Sequence, residues 1–214
     1  NDRGRAVVRE MNRLGMVINV SHASDETITQ ALAISSAPLV ATHHGMRALN
    51  NLPRNMPDDL MRKIAAKGGV IGFQIGNEFH NKKAFDWRTS HTGKAFWDTS
   101  DIASRKGQLS IEEIDRIVAP QFPMVGFAIP ENLLLTPDEW IGVLERAIGI
   151  AGEDHIAIGT DFDGGPTPPR GMHSIADLPL LTDAMVRRAW PEDRIRKVLG
   201  LNMLRVFRKI TEGS

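Results

Sequence analysis

The sequence contains no cysteine. That excludes disulfide frameworks and thiolate metal sites, so any metal must be held by His, Asp or Glu, a ligand set that suits zinc and also manganese or cobalt. Net charge is absent as well: 26 Lys and Arg balance 26 Asp and Glu. This argues against a general attraction to nucleic acid or to an anionic membrane, while leaving room for a local patch. No run approaches the ~20 apolar residues of a membrane-spanning helix. No secretory leader is recognisable, which says little, because the chain opens on Asn1 and reads as starting within a larger protein. Its compartment, cytoplasmic or exported, stays open.

What is present is a hydrophobic content of 42% over 214 residues, enough for one sizeable core and read as one domain over 1–214. Val7, Val8, Met11 and Leu14 recur at helical spacing, with Arg5, Arg9 and Arg13 on other faces, and Gly15 closes the helix. Met16 to Val20 is a short apolar run of the kind buried in a parallel sheet, with Ser21 and His22 just past its end. Ser24 caps a helix over about Asp25 to Ser35. Pro38 to Thr42 reads as the next strand, with His43 and His44 at its C-terminal end.

The unit then repeats. Pro57, Asp58 and Asp59 open a helix that runs to Gly68, and Val70 to Ile75 is a strand. Residues 76 to about 135 break the rhythm as a long excursion, holding Phe79, Trp87 and Trp97 and a capping box at Ser110 and Glu113. Thr136 to Glu139 start another helix, ending near Gly152. His155 to Thr160 is a strand, followed by Asp161, Phe162, Asp163, Gly164 and Gly165. Two helices close the chain, around Asp177 to Ala189 and Pro191 to Thr211. Alternating β and α elements predict an α/β fold with a parallel sheet. Four strands fit either a small open sheet or half of a TIM (β/α)8 barrel.

His22, His43 and Asp161 all fall at C-terminal strand ends, the face where both kinds of parallel sheet bind ligands. Neutral imidazole and carboxylate are usual ligands of catalytic zinc. Two histidines from adjacent strands, roughly 5 Å apart at the backbone, can reach one ion, and Asp161 could then handle a proton of an attacking water. The plainer reading is a pair of satisfied structural histidines. His80, His91 and His173 read as ordinary loop residues, and His155 as a residue of a strand start. Strand alternation sends only one of His43 and His44 inward.

The run from Gly4 to His22 resembles the helix and strand that lead to "D-L-S-H" in the membrane (renal) dipeptidase family of metallopeptidases. Ala41 to Leu49 is similar to that family's "S-H-S-x-x-R" segment, Arg54 to Asp59 to its "R-N-x-P-D-D", Gly159 to Gly164 to its "G-S-D-F-D-G", and Asn202 to Phe207 to its closing helix. The resemblance covers nearly the whole chain outside the excursion. It implies a chain covering roughly the C-terminal half of the barrel, strands five to eight, and a zinc-dependent hydrolysis of dipeptides with two zinc ions per complete site. His22 and His43 would bind one ion, with His43 chosen because His44 falls where the family has a small residue. Asp161 would be the catalytic proton carrier, Arg54 would bind the substrate carboxylate, and Asp163 would help bind substrate. From sequence alone, Arg54 would pass for a surface arginine beside a turn proline.

The family's His-x-Asp pair, its bridging glutamate and its "T-H-x-x-N" histidine are not in this chain; they are expected upstream of Asn1. The fragment alone is accordingly expected to be inactive. Asn19 stands where the family usually has Asp, a change expected to alter the surroundings of His22. The expected partner is a dipeptide, with a homodimer conceivable. Rival readings are an amidohydrolase-type enzyme acting on N-acyl amino acids, lactones or cyclic amides, and a non-catalytic barrel protein.

Overall fold

Local signals start most of the helices. In the computed structural model, which describes residues 1–92, 108–110, 112–113 and 129–212 and omits the side chains of Thr92 and Asp163, α1 (Asp2–Arg13) is capped by Asn1, whose side chain accepts from Gly4 N at 2.9 Å. Ser24 Oγ accepts from Thr27 N at 3.2 Å and starts α2 (Asp25–Ile34), where Asp25 and Glu26 face the positive helix end. Pro57 precedes α3 (Asp58–Ala66). Two short helices, α4 (Asn77–His80) and α5 (Lys82–Thr92), begin the excursion. Thr136 and Glu139 form a reciprocal capping box, at 3.2 and 2.7 Å, for α6 (Pro137–Ala151). The expected box at Ser110 and Glu113 is also made, at 2.8 and 3.2 Å; the rest of that helix and Trp97 lie outside the described residues.

The closing segment differs from two plain helices. It comprises α7 (Pro179–Arg187), α8 (Glu192–Arg196), a π-type turn over Lys197–Leu201 and α9 (Asn202–Thr211). Gly200 has non-helical backbone angles and separates the last two helices. Asn202 donates to Glu153 O (2.7 Å) and Ile156 O (2.8 Å), tying α9 to the start of the last strand.

Strands β1 (Val40–Met46), β2 (Asn55–Met56), β3 (Val70–Phe73) and β4 (Ile156–Ile158) form a parallel sheet in the order β2-β1-β3-β4. The expected strand at Met16 to Val20 is reduced to one bridge, Asn19 with Val40, framed by Val20 N to Val40 O (2.8 Å) and Val40 N to Ile18 O (3.0 Å). The second strand is longer than expected, because Gly45 and Met46 pair with Asn55 and Met56. His43 and His44 therefore sit within β1. The last strand begins after His155, which lies in a 3-10 turn and bonds Gly69 O at 2.7 Å.

Alternation divides the sheet residues between two layers. Leu39, Ala41, Ile71, Phe73 and Ile156 pack against Ile28, Leu60, Ile64, Trp140 and Leu144 of α2, α3 and α6. Val40, Val70 and Ala157 pack against Val206 and Ile210 of α9. Helices thus cover both faces, as a parallel sheet requires. Each fully buried Val, Leu, Ile or Phe side chain among these stabilises the fold by about 1.5–3 kcal/mol. Among the described residues, no helix is long and apolar enough to cross a membrane.

A buried polar network fixes the loops above the sheet. Asn77 donates to Thr167 O (3.0 Å) and Pro168 O (2.8 Å) and accepts from Leu135 N (2.6 Å). Glu78, fully buried, pairs with Arg88 and accepts from Thr167 N (3.1 Å) and Oγ1 (2.6 Å). These bonds join the start of the excursion to the loop after β4.

Candidate metal and substrate site

Because the strands are parallel, the turns that follow them open at one end of the sheet. His22 lies in a turn after the Asn19 bridge, closed by Ala23 N to Val20 O at 3.1 Å. Its φ is 67°, in the left-handed region. Asp161, after β4, has φ 58° and ψ 31° and starts a 3-10 turn over Phe162–Gly164. Among the described residues, three that are not glycine have positive φ, and two of them are candidate site residues. Asp and His are among the few residue types that enter this region readily, and such backbone collects at functional sites.

His22 and His43 meet. Their Nε2 atoms are 2.9 Å apart and the rings are edge-on, with centroids 5.0 Å apart. Burial lowers the pKa of each; the Arg54 charge adds to this, and Asp161 opposes it at both. Both imidazoles are thereby biased toward the neutral form that ligates metal. The two ring nitrogens converge on one another, as donors to a single ion would. Among the described residues, no group of three or more His, Asp or Glu is placed to hold a metal. The pair thus brings together two candidate donor nitrogens, and Asp161 stands near enough to act on both by charge.

Arg54 is buried, at 9% exposure, so the reading of a surface arginine fails. It precedes β2 and reaches under β1, donating from Nη2 to His43 O (2.8 Å) and from Nη1 to His44 Nδ1 (3.3 Å). Burial pulls its pKa down to about 10, against the opposing charge of Asp161. His44 points away from His43, is itself buried, and has its pKa pushed to about 3 by desolvation and then by Arg54. It supports the arginine instead of lying idle.

Gly164 explains how Asp161 is seated. The Asp161 carboxylate lies where a Cβ on Gly164 would be, so any larger residue would overlap Oδ1. A cavity of about 570 Å³ opens beside it, lined also by Thr160, Phe162, His173 and Ser174. His173 was expected to be an ordinary loop residue, and no sequence signal marks it as a neighbour of Asp161. The Asp163 side chain lies outside the described residues. His80 and His91, expected in loops, are in α4 and α5: His80 Nε2 bonds Gln74 O at 2.7 Å, and His91 stacks on Trp87 with centroids 4.0 Å apart.

Asn19 lies behind this group. Its contacts run to Thr42 and Ser21, so it reaches His43 through Thr42 instead of acting directly on His22.

The family model for membrane dipeptidases (peptidase family M19) matches residues 1–214. Dipeptidase tcpJ of Claviceps purpurea (strain 20.1) is 26% identical over 210 residues, covering 98% of this chain and 38% of its own. Dipeptidase 3 of Rattus norvegicus is 25% identical over 209 residues, covering 98% and 33%. Among solved structures, the probable dipeptidase PvdM from Pseudomonas aeruginosa superposes with a TM-score of 0.72 at 23% identity, covering 97% of this chain and 54% of that one. A metallopeptidase from Rhodobacter sphaeroides, liganded with a phosphinate mimic of the dipeptide L-Ala-D-Ala, gives 0.68 at 24% identity, covering 98% and 47%. The chain spans about a third of the length of these curated relatives and about half of the solved chains.

Proposed function

The chain belongs to the membrane dipeptidase family, peptidase family M19, and on that premise we propose that the protein it builds is a metal-dependent dipeptidase, with zinc as the metal. The convergence of the two Nε2 atoms at 2.9 Å, with Asp161 and Arg54 acting on the same pair, carries this reading. The architecture behind it is the C-terminal half of a TIM barrel, in which the bridge segment, β1, β3 and β4 stand as strands five to eight. That arrangement is supported by the parallel order of the sheet and by the share of the solved chains that it covers.

His22 and His43 hold one ion of a two-metal site. A bound metal supplies Lewis-acid polarisation of the scissile carbonyl and lowers the pKa of water. Asp161 takes the proton of the attacking water and delivers it to the leaving amine; its carboxylate rests against Gly164 in the turn after β4, and its charge acts on both histidines. Arg54 binds the free carboxylate of the substrate, for which a planar guanidinium fork suits a two-oxygen acceptor. Its bonds to His43 O and His44 hold the guanidinium in place before substrate arrives. Asp163 assists substrate binding from the same turn.

Among the described residues the chain offers two histidine ligands and an open four-stranded sheet, so by itself it is expected to be inactive. The test is hydrolysis of a panel of dipeptides by the full-length protein loaded with Zn2+, with Asp161→Asn as control. A fall of about 10²–10⁴ in kcat for that variant, with folding intact, is expected for a lost proton carrier. Hydrolysis of N-acyl amino acids or lactones but not of dipeptides would sink the substrate reading.

A further inference from the structure

A short string of polar side chains runs from His43 away from the site. Asn19 Oδ1 accepts from two backbone donors, Ser21 N at 3.1 Å and Thr42 N at 3.2 Å. Two donors on one oxygen settle the orientation of the amide, so Nδ2 is the end that faces Thr42 and donates to its Oγ1 at 3.1 Å. The same hydroxyl lies 2.9 Å from His43 Nδ1 and 3.3 Å from Ser21 Oγ. Ser21 Oγ in turn accepts from His43 N at 3.0 Å.

A threonine hydroxyl has one proton to give and two lone pairs to offer. One lone pair of Thr42 is taken by Asn19. Its proton then has two destinations, His43 Nδ1 or Ser21 Oγ. Donation to His43 would leave the imidazole proton on Nε2 and close that nitrogen to a metal. Donation to Ser21 frees the second lone pair of Thr42 to accept Nδ1–H of His43, and Nε2 is then bare. A bare Nε2 also accepts from His22 Nε2 across their 2.9 Å when no ion is bound.

We propose that Asn19, Thr42 and Ser21 form a one-way chain of hydrogen bonds that holds His43 as its Nδ1–H tautomer and so keeps Nε2 available to the metal. Asn19 and Ser21 are positioning residues that act on the His43 ring through Thr42; Ser21 also accepts from the His43 backbone N–H. Asn19 is what makes Ser21 necessary. A carboxylate at position 19 would accept the Thr42 proton itself, whereas the amide only donates there. The inference rests on the reading of His43 as a metal ligand and adds the residues that select its reactive form.

The test reads the His43 ring nitrogens by 15N NMR in the metal-free protein, and Zn2+ affinity by competition with a chromophoric chelator. The wild type is expected to show the Nδ1–H form. Ser21→Ala returns the Thr42 proton to His43, shifts the ring toward Nε2–H and weakens Zn2+ binding by about 10-fold. Thr42→Val weakens it by about 10–100-fold, and Thr42→Ser restores it. The decisive arm is the double variant Asn19→Asp with Ser21→Ala, in which the carboxylate takes the threonine proton and both tautomer and affinity recover. A merely structural loss at Ser21 would not be repaired at Asn19. An Nε2–H ring in the wild type overturns the proposal, as does an unchanged ring in Ser21→Ala or a double variant that fails to recover. The His43→Ala variant separates the two levels. Lost Zn2+ binding there, beside an unmoved Ser21→Ala, sinks the hydrogen-bond chain alone; unchanged binding sinks the ligand reading and the proposal with it.

Discussion

His22 Nε2 lies 2.9 Å from His43 Nε2, although 21 residues separate them in sequence. Two lone pairs cannot face each other at that distance without a positive partner between them, either a proton or a metal ion. Divalent metal should therefore displace a proton and stabilise the native state. At a metal concentration of 100 times Kd, the gain is about 2.7 kcal/mol, read as a rise in Tm. It should shrink as pH falls, because protons compete for the same nitrogens. A thermal shift that persists in His43→Ala would place the metal elsewhere.

Arg54 offers a second prediction. Its buried guanidinium is held through both Nη atoms, so Arg54→Lys keeps a charge and loses the fork. The kcat/KM for substrates with a free C-terminal carboxylate should fall more than about 10-fold, a loss on the scale of removing a charged hydrogen bond. Residual turnover of amide-capped analogues should be insensitive to the change. Equal losses on both substrate types would show that Arg54 serves the fold and not the carboxylate.

Gly164 is expected to be sensitive for a steric reason. A methyl group there would overlap Asp161 Oδ1 and push the carboxylate off its seat. Misplacement of a reacting group by about 1 Å can cost about 10²-fold in rate. Gly164→Ala should therefore lower kcat by about that factor while the urea unfolding midpoint moves little. Wild-type kcat in this variant would show that Asp161 needs no such seat.

His80 predicts an acid-sensitive fold. Burial holds its folded pKa at about 4, below the ordinary imidazole value of about 6.5. Between those values the unfolded chain binds a proton that the folded chain refuses. Stability is thus fully present above pH 6.5, is lost as pH falls, and levels off below about 4. His80's share of that loss between pH 7 and pH 5 is about 2 kcal/mol. Urea unfolding at the two pH values should show it, and a His80→Asn variant should lose correspondingly less on acidification. An equal pH dependence in both proteins would remove His80 from the account.

Much of this molecule could be read locally. Ser24, the Pro57 start and the Thr136–Glu139 box mark helix starts because caps depend on residues three or four apart. His22, His43 and Asp161 are expected near one another from their positions after predicted strands, with the family motifs favouring His43 over His44, and the structure brings His22 and His43 to 2.9 Å, His43 within β1. Strand limits were less legible. β1 runs on through both histidines because Gly45 and Met46 find partners in Asn55 and Met56, and the Met16 to Val20 run shrinks to one bridge. Arg54 could not be read as buried, since nothing near it in sequence encloses it; Asp161, which acts on it, is more than a hundred residues away.

The sequence by itself determined the α/β order of elements, the helix starts and the residue types able to bind a metal, because each depends on spacing within a few turns of chain. Only the tertiary structure decided which of those residues meet: that His22 faces His43, that His44 turns away to hold Arg54, and that Asn19 reaches the His43 ring through Thr42 while Ser21 also accepts from the His43 backbone N–H. These contacts exist because parallel strands bring their C-terminal ends to one edge, and sheet register, set by packing across the whole core, selects which side chains share it.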